Sequence, residues 1–266
     1  MAFNKEKMLE QLAIAKGEKK RRNVIEDSNF LQVPVEESRI ARMISIDDEP
    51  LKQTFWHYSV SGPGDHHPCL RDGFQRPLCP LCKLATRFYS ESKQKDDAAW
   101  NASKKLFSSE RYVSCFVVRS EEEKGPRWFW YSKTNFKALI TDYFLNEEEY
   151  GDIADSDTGN DVEIKVEPPE NKGGYNRTTI KAKIKKTKLV DAAMKKAGFN
   201  TVQDVLTAVP NFREIVYPEP TVDSLNQAVQ NYLNSAENEQ QEENKGKKEV
   251  APSLSEQIDA MLTEGE

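Results

Sequence analysis

Long apolar runs are missing from this sequence, the common motifs of enzyme chemistry are missing too, and cysteine is scarce, with four among 266 residues. No stretch approaches the ~18 consecutive apolar residues a membrane-spanning helix needs. Charge arrives by Lys5, Glu6 and Lys7, too early for a signal peptide. These absences predict a soluble protein of a reducing cytoplasm, where cysteines act as metal ligands or buried thiols rather than disulfides. The three histidines stand at 57, 66 and 67, and none begins the H-x-E element of a zinc-dependent nucleobase deaminase. G-x-S-x-G, the P-loop and H-E-x-x-H are absent as well, so no catalytic role is expected. With 37% hydrophobic and 31% charged residues, part of the chain lacks the means to join a core.

The net charge of −6 argues, taken whole, against a nucleic-acid partner. Its distribution says otherwise. Residues 1–22 hold Met8, Leu9, Leu12 and Ala13 at roughly helical spacing, with seven basic and three acidic residues, a +4 arm ending in Lys19, Lys20, Arg21 and Arg22. Residues 237–266 hold nine acidic and three basic residues, a −6 tail that leaves 1–236 neutral. Ser235–Pro252 is rich in Glu, Gln, Asn and Lys and reads as a disordered linker. After it, Leu254, Ile258, Met261 and Leu262 mark a short amphipathic helix suited to a partner.

Between the ends, β-type runs at 40–46, 54–60, 111–119, 127–132, 161–167 and 178–185 are separated by turn signals at Ser61–Gly64, Lys124–Pro126 and Lys172–Gly174. Helical patterns fall at about 80–105, 134–145 and 188–198. Two more follow, at 201–208, with Asn200 as a cap, and at 221–234, with Thr221 as a cap. Five or six short strands within ~150 residues predict a mainly β fold with α insertions, a small antiparallel barrel rather than a sandwich.

Cys69, Cys79 and Cys82 form C-x9-C-x2-C, the last two in the knuckle Leu78-Cys79-Pro80-Leu81-Cys82. Two thiolates at this spacing reach one Zn²⁺, their sulfurs ~3.5–4 Å apart on a tetrahedral edge. His57, His66, His67 and Cys115 are the candidates for the fourth ligand. Cys115 lies in the apolar strand Tyr112–Val118 and reads better as a buried thiol. His66 or His67 would crowd the loop before Cys69, whereas His57 sits in the preceding strand, where a hairpin can return Cys69 beside it. Four protein ligands make a closed, structural site, here in a subdomain at about 55–105.

Residues 172–188 carry seven Lys/Arg and no acid. Strict alternation places Ile180, Ala182 and Ile184 on a core face and Lys181, Lys183 and Lys185 on the other, ammonium groups ~6.6–6.8 Å apart. In Arg127–Lys133, one face shows Arg127, Phe129, Tyr131 and Lys133 and the other Trp128, Trp130 and Ser132, more aromatic surface than one small barrel core uses. Arg111-Tyr112 opens the neighbouring strand. Cations interleaved with aromatics suit sequence-tolerant single-strand binding, with Arg111, Arg127, Lys133 and the three lysines on phosphates and Tyr112, Phe129 and Tyr131 stacked on bases.

The layout resembles the zinc-containing single-stranded DNA-binding proteins of T-even-type tailed phages. The resemblance spans essentially the whole chain and rests most on Cys69-x9-Cys79-x2-Cys82 with His57 about a dozen residues earlier, then Arg111-Tyr112 leading to Phe116-Val117-Val118-Arg119. It implies Zn²⁺ on His57, Cys69, Cys79 and Cys82, an OB-fold core that is a five-stranded barrel over residues 23–234, and an arm at 1–22 for self-association along DNA. It further implies a tail at 235–266 that contacts replication and recombination proteins, and residence in the cytoplasm of an infected bacterium. The arm departs from the family in following its basic cluster with Asn23-Val24 where the family has a Ser/Thr pair. A zinc-ribbon adaptor between proteins and an RNA-binding OB module are the alternatives.

Overall fold

In a computed structural model of the chain, which describes residues 29–71, 78–171 and 175–244, the β-type runs become strands with ends shifted by at most two residues. They are β1 (Ser38–Ile44), β2 (Lys52–Tyr58), β4 (Ser109–Val118), β5 (Arg127–Tyr131), β6 (Asn160–Glu167) and β7 (Arg177–Lys186). A further strand, β3 (His66–Pro68), is the return limb of the hairpin turning at Ser61–Gly64; three residues are too few for alternation to register.

The seven strands form one antiparallel sheet in the order β3-β2-β4-β1-β6-β7, with β5 also paired to β4. β4 organises it. Its first half, Ser109–Val113, pairs with β2 and its second half, Cys115–Val118, with β1, while β5 runs along Tyr112–Phe116. Residues 112, 113, 115 and 116 thus have partners on both edges, which puts β5 opposite β1 and β2. The closed five-stranded barrel that the resemblance implies is corrected here to a seven-stranded open sheet. A helix stands where closure would need a ladder. α3 (Lys133–Ala138) leaves β5, and Asn135 in its first turn donates from Nδ2 to Thr178 O of β7 at 2.9 Å.

Both faces of β4 are buried from Tyr112 to Val118. One face carries Tyr112, Phe116 and Val118 with Phe129 and Tyr131 of β5, packed on Met43, Leu139, Val162, Ile164 and Ile180. The other carries Val113, Cys115 and Val117 with Trp128, covered by Leu189, Met194, Val205 and Val216 from the later helical segment. That segment is α4 (Ala192–Lys196), α5 (Val202–Thr207) and a π-turn at Phe212–Val216. Arg119 fastens it to the sheet, donating to Asp161 Oδ1 at 3.0 Å and Asp191 Oδ2 at 3.1 Å. Two cores on one strand explain a sequence with aromatics on both faces.

The helical pattern at 80–105 is two helices, α1 (Pro80–Glu91) and α2 (Ala98–Leu106), separated because Asp97 caps the second, accepting from Trp100 N at 2.7 Å. α5 is capped by Thr201, reciprocally with Asp204, rather than by Asn200. Thr221 caps the last helix, α6 (Val222–Asn244), accepting from Ser224 N at 3.1 Å. α6 continues past residue 235, where the linker is expected to begin. Glu and Gln rank among good helix formers, so their abundance is compatible with either state. The arm at 1–22, with its cluster Lys19–Arg22, and the tail beyond 244 lie outside the described residues. Among the described residues no helix is long and apolar enough to cross a membrane.

Candidate metal centre and basic-aromatic cleft

The knuckle at 79–82 opens α1. Cys79 is its N-cap residue and Pro80, whose fixed φ suits the first helical position, follows it, so Cys82 sits within the first turn above Cys79. The Cys79 sulfur stands near the positive end of the helix dipole, which favours its thiolate. The β2–β3 hairpin pairs His57 with His67 and carries the chain on to Cys69. Fold and knuckle together bring His57, Cys69, Cys79 and Cys82 into one buried cluster whose ligand atoms all lie within 4.8 Å of one another.

Within it, His57 Nε2 lies 3.2 Å from Cys79 Sγ and 3.9 Å from Cys82 Sγ, and the sulfurs of Cys69 and Cys82 are 3.5 Å apart. His57 Nδ1 donates to Leu106 O at 2.7 Å, which turns Nε2 toward the sulfurs. Arg71 N donates to Cys69 Sγ at 3.3 Å. Burial opposes a charged imidazole, but hydrogen bonds with Cys79 and Cys82 overcome it and hold His57 up at about 9. Hydrogen bonds with Cys69 and then Cys82 hold the Cys79 thiol far below its ordinary value, and hydrogen bonds with Cys79 and Cys82 push Cys69 far above. Four groups compete here for protons that one cation would displace, and a soft nitrogen-and-sulfur donor set of this size could hold a metal ion. His66 and His67 lie outside the cluster: His67 pairs with Asp65 at 2.7 Å, and His66 packs edge-on against Tyr58. Cys115 is buried in β4, its thiol pushed up by burial.

The expected nucleic-acid residues divide. Tyr112, Phe129 and Tyr131 are 2%, 8% and 4% exposed and belong to the sheet core, which corrects their expected role as stacking platforms. Met43, Leu139, Ile164 and Ile180 pack on these three rings, while the later helical segment covers Trp128 on the other face. Arg127 is buried and paired with Glu121 at 2.9 Å, so its charge is spent inside the protein. Lys133 pairs with Glu110 at 2.6 Å and Lys183 with Glu163 of β6 at 2.6 Å, so the lysine row of β7 meets acids across the strand pair. Its alternation also ends early. Opposite a bulge at Asn160–Val162, Asn160 Nδ2 donates to Lys183 O and Ile184 O, and Ile184 is 71% exposed rather than core-facing.

Arg111 and Lys181 remain, and they share a cleft of about 1000 Å³ between β5, α3 and β7. Residues missed as contacts line it with them: Tyr58, Trp130, Tyr175 and Arg177, the last paired with Glu170 at 2.8 Å. The Arg111 guanidinium lies 5.1 Å from the Tyr58 ring centre and donates from Nε to Tyr58 Oη at 3.1 Å, a prepared cation–aromatic pair. Trp130 is only half-buried, and Tyr175 is 97% exposed. Tyr175 follows Gly173-Gly174 inside the acid-free basic stretch, a signal that could have found it. Lys185 is exposed farther along β7. No protein-family model matches the chain, and no curated protein matches it.

Proposed function

We propose that this protein binds single-stranded DNA with little sequence preference, without catalysis, through the cleft between β5 and β7. The observation that carries the reading is the convergence there of exposed or half-buried aromatic rings, Tyr58, Trp130 and Tyr175, with Arg111 and Lys181. Rings accept any base by stacking, at about 1–3 kcal/mol per base, while the cations neutralise phosphates. The width left by the open sheet is the space a strand would enter, and we read the sheet as an OB-type arrangement opened at this point. We assign Zn²⁺ to His57, Cys69, Cys79 and Cys82, since one imidazole and three thiolates form the donor set of a closed structural zinc site. The ion would secure the hairpin and α1 beside the cleft and take no part in chemistry.

The resemblance to phage single-stranded DNA-binding proteins supports the same role in coating DNA during replication, recombination and repair in an infected bacterium's cytoplasm. On that reading the arm at 1–22 joins neighbouring copies along the strand and the acidic tail contacts replication and recombination proteins. Titration of intrinsic tryptophan and tyrosine fluorescence with oligo-dT, an RNA oligomer and a duplex tests the function. Strong quenching by oligo-dT that weakens with salt is expected; preference for RNA would transfer the reading to an RNA-binding module, and no quenching by any of the three would leave a protein adaptor.

A further inference from the structure

Three ligands of the cluster are carried by regular structure. Cys79 and Cys82 belong to the first turn of α1, and His57 is held within β2 and by its bond to Leu106 O. Cys69 follows β3 on a loop and depends on other supports. Its N–H donates to Phe55 O at 2.8 Å. Its carbonyl accepts from Tyr217, 148 residues later, whose Oη lies 2.6 Å from Cys69 O and 3.1 Å from Phe55 O.

Tyr217 is itself fixed. It is 8% exposed, its ring meets Trp56 edge-on at 5.6 Å and lies 6.3 Å from Phe212. Burial pushes its hydroxyl up to about 12, so it stays a donor through the neutral range. Just beyond it α6 begins, and Leu225, Ala228 and Tyr232 of that helix close the same core as Cys69, Cys79, Cys82, Leu81 and Phe88. The Phe88 and Tyr232 rings are 6.4 Å apart.

We propose that Tyr217 is a positioning residue of the metal centre and that, through Tyr217 and α6, bound metal and the docked C-terminal segment stabilise each other. This rests on the zinc assignment above. The hydroxyl fixes the peptide plane that follows Cys69, and so the aim of its Sγ and of the Arg71 N–H that donates to that sulfur. Coupling between two such sites is reciprocal by thermodynamic necessity: whatever docking α6 adds to metal affinity, metal adds to docking. The chain beyond α6, with its excess of acid, is thereby anchored or released according to whether the thiolates hold an ion.

The test is transfer of Zn²⁺ from the full-length protein to a chromogenic chelator, for wild type, Tyr217→Phe and Ser114→Ala. Tyr217→Phe keeps the ring and removes only the hydroxyl. Support of this kind is worth about 10- to 100-fold in metal affinity, and a loss in that range is expected. Ser114→Ala removes an equally buried hydroxyl, bonded to Pro50 O and Tyr131 Oη, and should retain metal as wild type does. The thiolate-to-metal absorption of the Co²⁺-loaded Tyr217→Phe variant should keep its wild-type form, because the ligands are unchanged. Metal affinity of Tyr217→Phe within about twofold of wild type would overturn the proposal, against the tenfold or larger loss usual for such partners. Should that variant not fold, hydrogen exchange on wild type decides: removing Zn²⁺ should expose amides of 222–236 while β6 and β7 stay protected, and unchanged protection of α6 would overturn it. A wild-type chain taking up neither Zn²⁺ nor Co²⁺ is a separate result, and it would overturn the zinc assignment first.

Discussion

The metal end and the sheet of this protein are held by different physics. Around β4 two apolar layers, one with Phe116 and Ile164 and the other with Trp128 and Met194, are complete in themselves. Around α1 the core is smaller, and its centre is four ionisable groups, His57 and three thiols, almost wholly removed from water. Such groups are costly to bury without a partner that satisfies them, and an ion bound by all four, as proposed above, would be that partner. The sheet should therefore stand without metal, while the hairpin, α1, α2 and α6 depend on it.

The largest effect that could break this contrast is metal removal. Chelation, or Cys79→Ser, should take bound zinc from about one ion per chain toward none. It should abolish hydrogen-exchange protection across 80–106 while amides of β4 and β5 stay protected; simultaneous loss in both regions would erase the contrast. The pH dependence has a definite sign. In the metal-free protein His57 is raised from 6.5 to about 9, so it carries a proton at neutral pH that a metal must displace. Metal affinity, measured by chelator competition, should strengthen as pH rises toward 9 and weaken on acidification. Next in size is the reverse perturbation. Phe116→Ala in the sheet should cost about 3–5 kcal/mol in denaturant unfolding, with zinc content of the remaining folded protein unchanged.

Smaller effects sharpen the contrast between packed and exposed aromatics. Tyr175→Ala should weaken oligo-dT binding by about 5- to 150-fold, the equivalent of ~1–3 kcal/mol of stacking, without moving thermal stability or zinc content. The smallest effect belongs to Lys181→Ala, which should reduce the slope of log affinity against log salt by about 0.7 for one lost phosphate contact on a single strand.

Much of this layout was legible along the chain, because strands and metal knuckles are local. Alternation placed six strands to within two residues, and the Cys79–Cys82 spacing marked a ligand pair because a helix start brings two side chains three residues apart onto one side. His57 was legible one step farther out, through the hairpin that brings Cys69 beside it. The reading went wrong where the outcome depended on segments far away in sequence. The rings of Tyr112, Phe129 and Tyr131 looked available because nothing near them in sequence shows that Met43, Ile164 and Ile180 come to pack on them. The lysines of β7 looked like an unbroken cationic row because Glu163 lies on another strand, and Tyr175, just after the turn signal at Lys172–Gly174, was not singled out.

By itself, then, the amino-acid sequence determined the strands, the cysteine knuckle of the candidate metal cluster and the polarity of charge from arm to tail, all consequences of spacing and composition over a few residues. Only the tertiary structure decided which aromatics are buried, which cations keep their charge free for a ligand, that the sheet stays open beside α3, and that Tyr217 reaches back to Cys69. Burial and charge pairing are set by what the chain brings alongside, and that neighbour can lie more than a hundred residues away.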